Sequence, residues 1–132
     1  MAEQTGHALL TLQNSLRPLL EADGILGGVL CTEDGLPLAS ALRPGLDEES
    51  LAAAGARIGQ LSRDQFGDED LEAGVLDASR LRLVVRPVSL GYLVLAADPA
   101  AAIGPAVELA KQLAAAIDRT AVRAAMTEAP RP

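Results

Sequence analysis

The sequence predicts an α+β domain in the order α-β-β-α-β-β-β-α. Three observations carry this reading: an Asp34-Gly35 pair between two apolar runs, a well-marked helix entrance after Leu46, and three short alternating runs between Leu71 and Ala97 joined by hairpin-length links. At 132 residues the chain has single-domain length, and roughly two-thirds of its unfolded surface can be buried in one core. We expect one domain over residues 1–126 and a flexible tail over 127–132.

Leu9, Leu12, Leu16, Leu19 and Leu20 fall at three- and four-residue steps and predict an amphipathic helix over Thr5 to Ala22. Pro18 removes a helical hydrogen bond to Asn14, which predicts a kink or an early stop near Arg17. The run from Ile25 to Thr32 reads as a largely buried strand, and Asp34-Gly35 returns the chain antiparallel over Leu36 to Leu42. Pro37 cannot donate to a ladder, so this second strand is an edge candidate. Asp47 can cap the next helix, Glu48 and Glu49 suit the positive end of its dipole, and Leu46 with Leu51 has the spacing of a hydrophobic staple.

That helix should run to Gln65 or Phe66 and carry two apolar stripes. Leu51, Ala54, Ile58, Leu61 and Gln65 form the larger, suited to covering a sheet; Ala52, Gly55, Gly59, Ser62 and Phe66 form a small-residue stripe that lets another backbone come close. Arg57, Gln60, Arg63 and Asp64 fill the solvent-facing arc. Three strands follow, over Leu71 to Leu76, Leu81 to Arg86 and Tyr92 to Ala97, in a meander. The last helix starts at Asp98-Pro99 or at Gly104-Pro105, because proline is tolerated in a first turn, and repeats apolar residues to about Met126.

Composition excludes several classes. Lys+Arg 11 against Asp+Glu 18 gives a formal net charge of -7, and aromatics make up 2%. Neither a basic field for phosphates nor aromatic platforms for bases are available, so no nucleic-acid partner is expected. No apolar run reaches the ~18 residues of a membrane span, and the start of the chain lacks the pattern of a secretion signal. A single cysteine, Cys31, cannot form an internal disulfide and suits a reducing cytoplasm.

Chemistry-bearing motifs are scarce. His7 has no second histidine or cysteine pair to complete a metal site. Cys31 lies in a buried-strand pattern with no base beside it and reads as a small core residue. Gly24, Gly27 and Gly28 fit neither the dinucleotide fingerprint nor the P-loop, and Ser89 lacks the glycine of a nucleophile elbow. The carboxylates from Asp64 to Glu72 do not follow calcium-loop spacing and read as a solvated acidic turn. We therefore expect no cofactor, no metal and no catalytic residue: an interaction module, not an enzyme.

The run from Gly24 to Ser40, an apolar strand, Asp-Gly turn and Leu-Pro return, resembles the first hairpin of the Roadblock/dynein light chain domain family. The stretch from Tyr92 to Leu113, with Gly104 at a helix entrance, is similar to that family's last strand and closing helix. The resemblance spans about Leu9 to Met126 and implies a five-stranded antiparallel sheet of profilin-like build, with the middle helix on one face and the terminal helices on the other. It further implies a homodimer through the middle helix and third strand, here Ala52, Gly55, Gly59, Ser62 and Phe66 with Leu71, Ala73 and Val75. Packing of Gly55 and Gly59 onto the same subunit's sheet is the alternative. Stand-alone bacterial members regulate small Ras-like GTPases without donating a catalytic residue, which assigns Arg57, Gln60, Arg63 and Asp64 to a GTPase contact or, failing that, to plain solvated helix surface. Two further readings are a scaffold dimer that leaves any GTPase cycle unchanged and a small enzyme or ligand-binding domain of profilin-like build.

Overall fold

The computed structural model describes residues 10–66, 74–77 and 80–128. An α-helix over residues 10–16 (α1) tightens into a 3-10 helix at Arg17–Glu21. Pro18 falls in the first turn of that tighter segment, so the expected disturbance near Arg17 becomes a change of hydrogen-bond pattern. Leu12, Leu16 and Leu19 stay buried across the change. There follow β1 (Ile25–Cys31), β2 (Pro37–Leu42), α2 (Glu48–Phe66), β3 (Gly74–Asp77), β4 (Arg82–Val88), β5 (Gly91–Ala97) and α3 (Ile103–Glu128).

The strands form one antiparallel sheet in the order β2-β1-β5-β4-β3. The β1–β2 reversal is built as its sequence requires. Gly35 has a φ of 87°, the Gly35 N–H donates to the Thr32 carbonyl at 3.0 Å, and the Leu36 N–H donates to Thr32 Oγ1 at 3.1 Å. β2 lies at one edge with Pro37 as its first residue, where the missing N–H is tolerated.

The C-terminal ends of β4 and α3 lie beyond expectation, and part of the expected third strand falls outside the described residues. β4 continues through Pro87 to Val88; the described residues of β3 pair only as far as Val85, so the proline stands beyond that ladder and withholds no bond from it. Leu71 and Ala73, expected in the third strand, lie outside the described residues. α3 begins at the second of its two candidate entrances and reaches Glu128, so Thr127 and Glu128 are helical and not tail.

Side chains alternate across the sheet with period two. Leu30, Val84, Leu93 and Leu95 face one way and meet Leu12, Leu16 and Leu19 together with Ala106, Ala110, Ala114 and Ile117 of α3. Val29, Cys31, Leu83, Val85, Tyr92, Val94 and Ala96 face the other way and meet Leu51, Ala52 and Ala56 of α2. The middle helix thus covers one face and the terminal helices the other. Asp47 caps α2 by accepting from the Ser50 N–H at 3.1 Å, and hydrogen bonds from the Ser50 hydroxyl and N–H hold its carboxyl below the usual carboxylate range.

Gly104, in the first turn of α3, has open space where a Cβ would sit. Gly104→Ala is therefore expected to raise stability by about 0.4–1 kcal/mol through reduced unfolded-state entropy. Urea unfolding of the two proteins measures it.

Candidate interaction surface on the second helix

α2 carries most of the candidate contact residues, and its orientation is set by the sheet beneath it. β5 presents Val94 and Tyr92 to the helix, and both are fully buried. A Cβ on Gly55 would stand 2.1 Å from Val94 Cγ2, and one on Gly59 would stand 2.3 Å from the Tyr92 ring. Ala52 is likewise fully buried in this layer. The small-residue stripe therefore seats α2 on its own sheet, which corrects the expectation that Ala52, Gly55 and Gly59 meet a second subunit. The physical reason is volume: an aromatic ring and a branched valine stand above the strand plane, and only a helix face without side chains can approach them. Ser62 is half-buried, Phe66 ends the helix, and Val75 lies in β3 at the sheet edge.

The small-residue stripe thus takes the place beneath the helix, and the larger stripe lies along its flank, with Ala54 and Ile58 still packed against the core below and only Leu61 open. Leu51 is buried at the start of α2. Ala54 and Ile58 are half-buried and Leu61 is 56% exposed. Ala53, Arg57, Gln60 and Asp64 are exposed or half-exposed beside them. The β1–β2 turn lies against the same helix, since a Cβ on Gly35 would stand 3.3 Å from the Ala53 Cα, and it carries Leu36 with 64% of its surface open. Leu36 and Leu61 are contact candidates that the sequence reading missed. A better signal was present in the lone tyrosine of β5, whose ring must find a hole in whichever helix covers it.

Arg63 departs from the expected partner-contact set. Its side chain is only 23% exposed, its Nη1 lies 2.8 Å from Glu33 Oε1 in the β1–β2 turn, and its guanidinium stands 5.1 Å from the centroid of the Tyr92 ring. Cation–π attraction and the ion pair both hold it against its own subunit. Of the four residues, Arg57, Gln60 and Asp64 remain on the open arc, whereas Arg63 fastens the end of α2 to the hairpin.

Cys31, the lone cysteine, is not exposed on this surface. It is fully buried, and its Sγ donates to the Ala52 carbonyl at 3.7 Å. Burial pushes its thiol from 9.0 up to about 11, partly offset by a hydrogen bond from the Tyr92 backbone. The unfolded chain therefore loses this proton first. Stability contributed by Cys31 is intact below pH 9, declines between pH 9 and 11, and amounts to about 2–3 kcal/mol. Urea unfolding at pH 8 and pH 11 should show this decline in the wild type in excess of that in Cys31→Ala.

The Ser89 N–H donates to Asp118 Oδ1 at 2.8 Å, a turn contact with α3. His7 and most of the acidic turn lie outside the described residues, and among the described residues no group of His, Cys, Asp and Glu could hold a metal. No helix among them is long and apolar enough to cross a membrane. On the other face of the sheet a groove of about 690 Å³ is lined chiefly by aliphatic residues, including Ile25, Pro105 and Leu109, with Asp23 and Glu108 the charged side chains in its wall.

A sheet in the order β2-β1-β5-β4-β3, with one helix on one face and the two terminal helices on the other, is the Roadblock/LC7 architecture. No family model and no curated protein matches the sequence. Solved structures do. The Roadblock/LC7 domain from Streptomyces avermitilis superposes with a TM-score of 0.70 at 20% identity, over 83% of this chain and 97% of that one. MglB from Myxococcus xanthus gives 0.66 at 19% identity, over 83% and 93%. The gliding protein MglB from Thermus thermophilus gives 0.62 at 21% identity, over 92% and 90%. At the level of fold, the resemblance read from the residues holds.

Proposed function

We propose that this chain is a non-enzymatic, homodimeric regulator or binding partner of a small Ras-like GTPase. The observation that carries the reading is the outer flank of α2. Leu61, with the half-buried outer edges of Ala54 and Ile58, offers a narrow aliphatic strip beside Arg57, Gln60 and Asp64, on a helix whose inner face is already filled. This mixture of apolar strip and charged rim is the make-up of a protein interface. β3 at the sheet edge supplies a strand, including Val75, that a second copy can extend, and α2 lies on the face beside it. The Roadblock architecture points to the same helix and strand for self-association. In this reading the GTPase's own residues perform hydrolysis and this chain donates none.

The partner contact is assigned to Arg57, Gln60 and Asp64, with Arg63 acting indirectly by holding the helix to the hairpin. A Ras-like GTPase encoded beside this chain is the natural probe. Arg57→Glu is expected to weaken its binding at least about tenfold, or ~1.4 kcal/mol, with the unfolding midpoint unchanged. Titration calorimetry against the GTPase in its triphosphate form checks this. Unaltered affinity removes Arg57 from the contact, and a hydrolysis rate that saturating protein leaves unchanged favours a scaffold over a regulator.

A further inference from the structure

The two edges of the sheet are not equivalent, and β2 at the edge away from β3 has an unusual guard. Its sequence, Pro37-Leu38-Ala39-Ser40-Ala41-Leu42, carries no charge. An uncharged strand of this length with an open row of backbone groups invites pairing with another chain. In the antiparallel ladder with β1, Ser40 stands opposite Val29. Its own N–H and carbonyl point away from β1, because both engage the Gln13 side chain of α1: the Ser40 N–H donates to Gln13 Oε1 at 2.9 Å, and Gln13 Nε2 donates to the Ser40 carbonyl. A carboxamide has the donor and acceptor of a peptide group. Gln13 therefore makes the same pair of bonds with Ser40 that a residue of a neighbouring strand would make. Pro37 has no N–H to offer at one end, and past the other end Arg43 turns back to the Ile25 carbonyl at 3.1 Å and the Leu20 carbonyl at 2.6 Å. The middle of the edge is closed by Gln13.

We propose that Gln13 is a plug on the β2 edge, and that without its amide β2 pairs antiparallel with β2 of a second copy of this chain. The strand is self-complementary about Ser40. A two-fold axis there sets Ser40 opposite Ser40 of the other copy, each N–H donating to the other's carbonyl; Leu38 and Leu42, which the bulge at Leu38 turns to opposite faces of the sheet, take no part in that pair. This plug stands apart from the GTPase reading, since β2 and β3 are opposite edges of the sheet.

Gln13→Met keeps side-chain length and helix propensity and deletes only the amide. Its particle mass by sedimentation velocity is expected to reach at least twice that of the wild type and to grow with concentration. Gln13→Asn, one methylene too short to bridge, should behave alike. Adding Ser40→Pro removes the N–H that a second β2 would need while leaving the β1 ladder untouched, and Q13M/S40P should return to the wild-type mass. Wild-type mass for both Gln13 variants, with helix and sheet content retained by circular dichroism, overturns the proposal. So does assembly that persists in Q13M/S40P, because that growth would arise from something other than β2 pairing.

Discussion

Gly55→Val is expected to destabilise the domain by more than about 3 kcal/mol and to lower its thermal midpoint by about 10–15 °C. The first added carbon already stands 2.1 Å from Val94 Cγ2 and 3.0 Å from Cγ1. Val94 belongs to β5, which is hydrogen-bonded on both sides by β1 and β4, so the strand cannot withdraw. The helix must therefore lift, which also parts Gly59 from the Tyr92 ring and Arg63 from its seat above that ring. Helix propensity favours valine over glycine by only a few tenths of a kcal/mol. Gly104→Ala makes the comparison sharp: it is the same kind of change at a helical glycine with open space around it, and its effect should have the opposite sign. Differential scanning calorimetry on the three proteins gives the result, and a Gly55→Val protein as stable as the wild type would show that the inner stripe is not what seats α2.

Leu61→Arg should act in the opposite manner, leaving the fold intact while abolishing self-association. Leu61 is 56% exposed on α2, so an arginine there meets solvent in the single subunit. In a dimer built on the outer stripe, two copies would bring like charges together in a desolvated strip, a juxtaposition that costs several kcal/mol. We expect a loss of association of at least about a hundredfold, near 2.7 kcal/mol, with an unchanged circular dichroism spectrum. Unaltered association would move the subunit contact off this helix and onto the β3 edge alone.

The comparison of the two α2 stripes shows how far the sequence could be read. Element order, the Asp34-Gly35 reversal, the edge position of β2, the Asp47 cap and the change at Pro18 are local consequences of turn chemistry, capping and proline, and they were legible residue by residue. The rotation of α2 was not. Helical periodicity gives two stripes and assigns the larger to the core by default, but the sheet beneath already holds Tyr92 and Val94. The face that fits is decided by strand residues some thirty to forty positions downstream of the helix residues they meet. Arg63 was misplaced for a related reason. Its spacing puts it with Arg57 and Gln60, yet Glu33 and Tyr92 arrive beside it only once the sheet has formed. The edge role of Gln13 is equally invisible in one dimension, because Ser40 is 27 residues away.

In the proposed function the outer face of α2 brings two copies of this chain to one kind of partner. Light scattering on the chain mixed with a neighbouring Ras-like GTPase in its triphosphate form tests it most directly. A complex containing two copies of this chain together with the GTPase is expected, as is its loss in the Leu61→Arg protein. A chain that elutes at its monomer mass, with the GTPase separate from it, would contradict the claim.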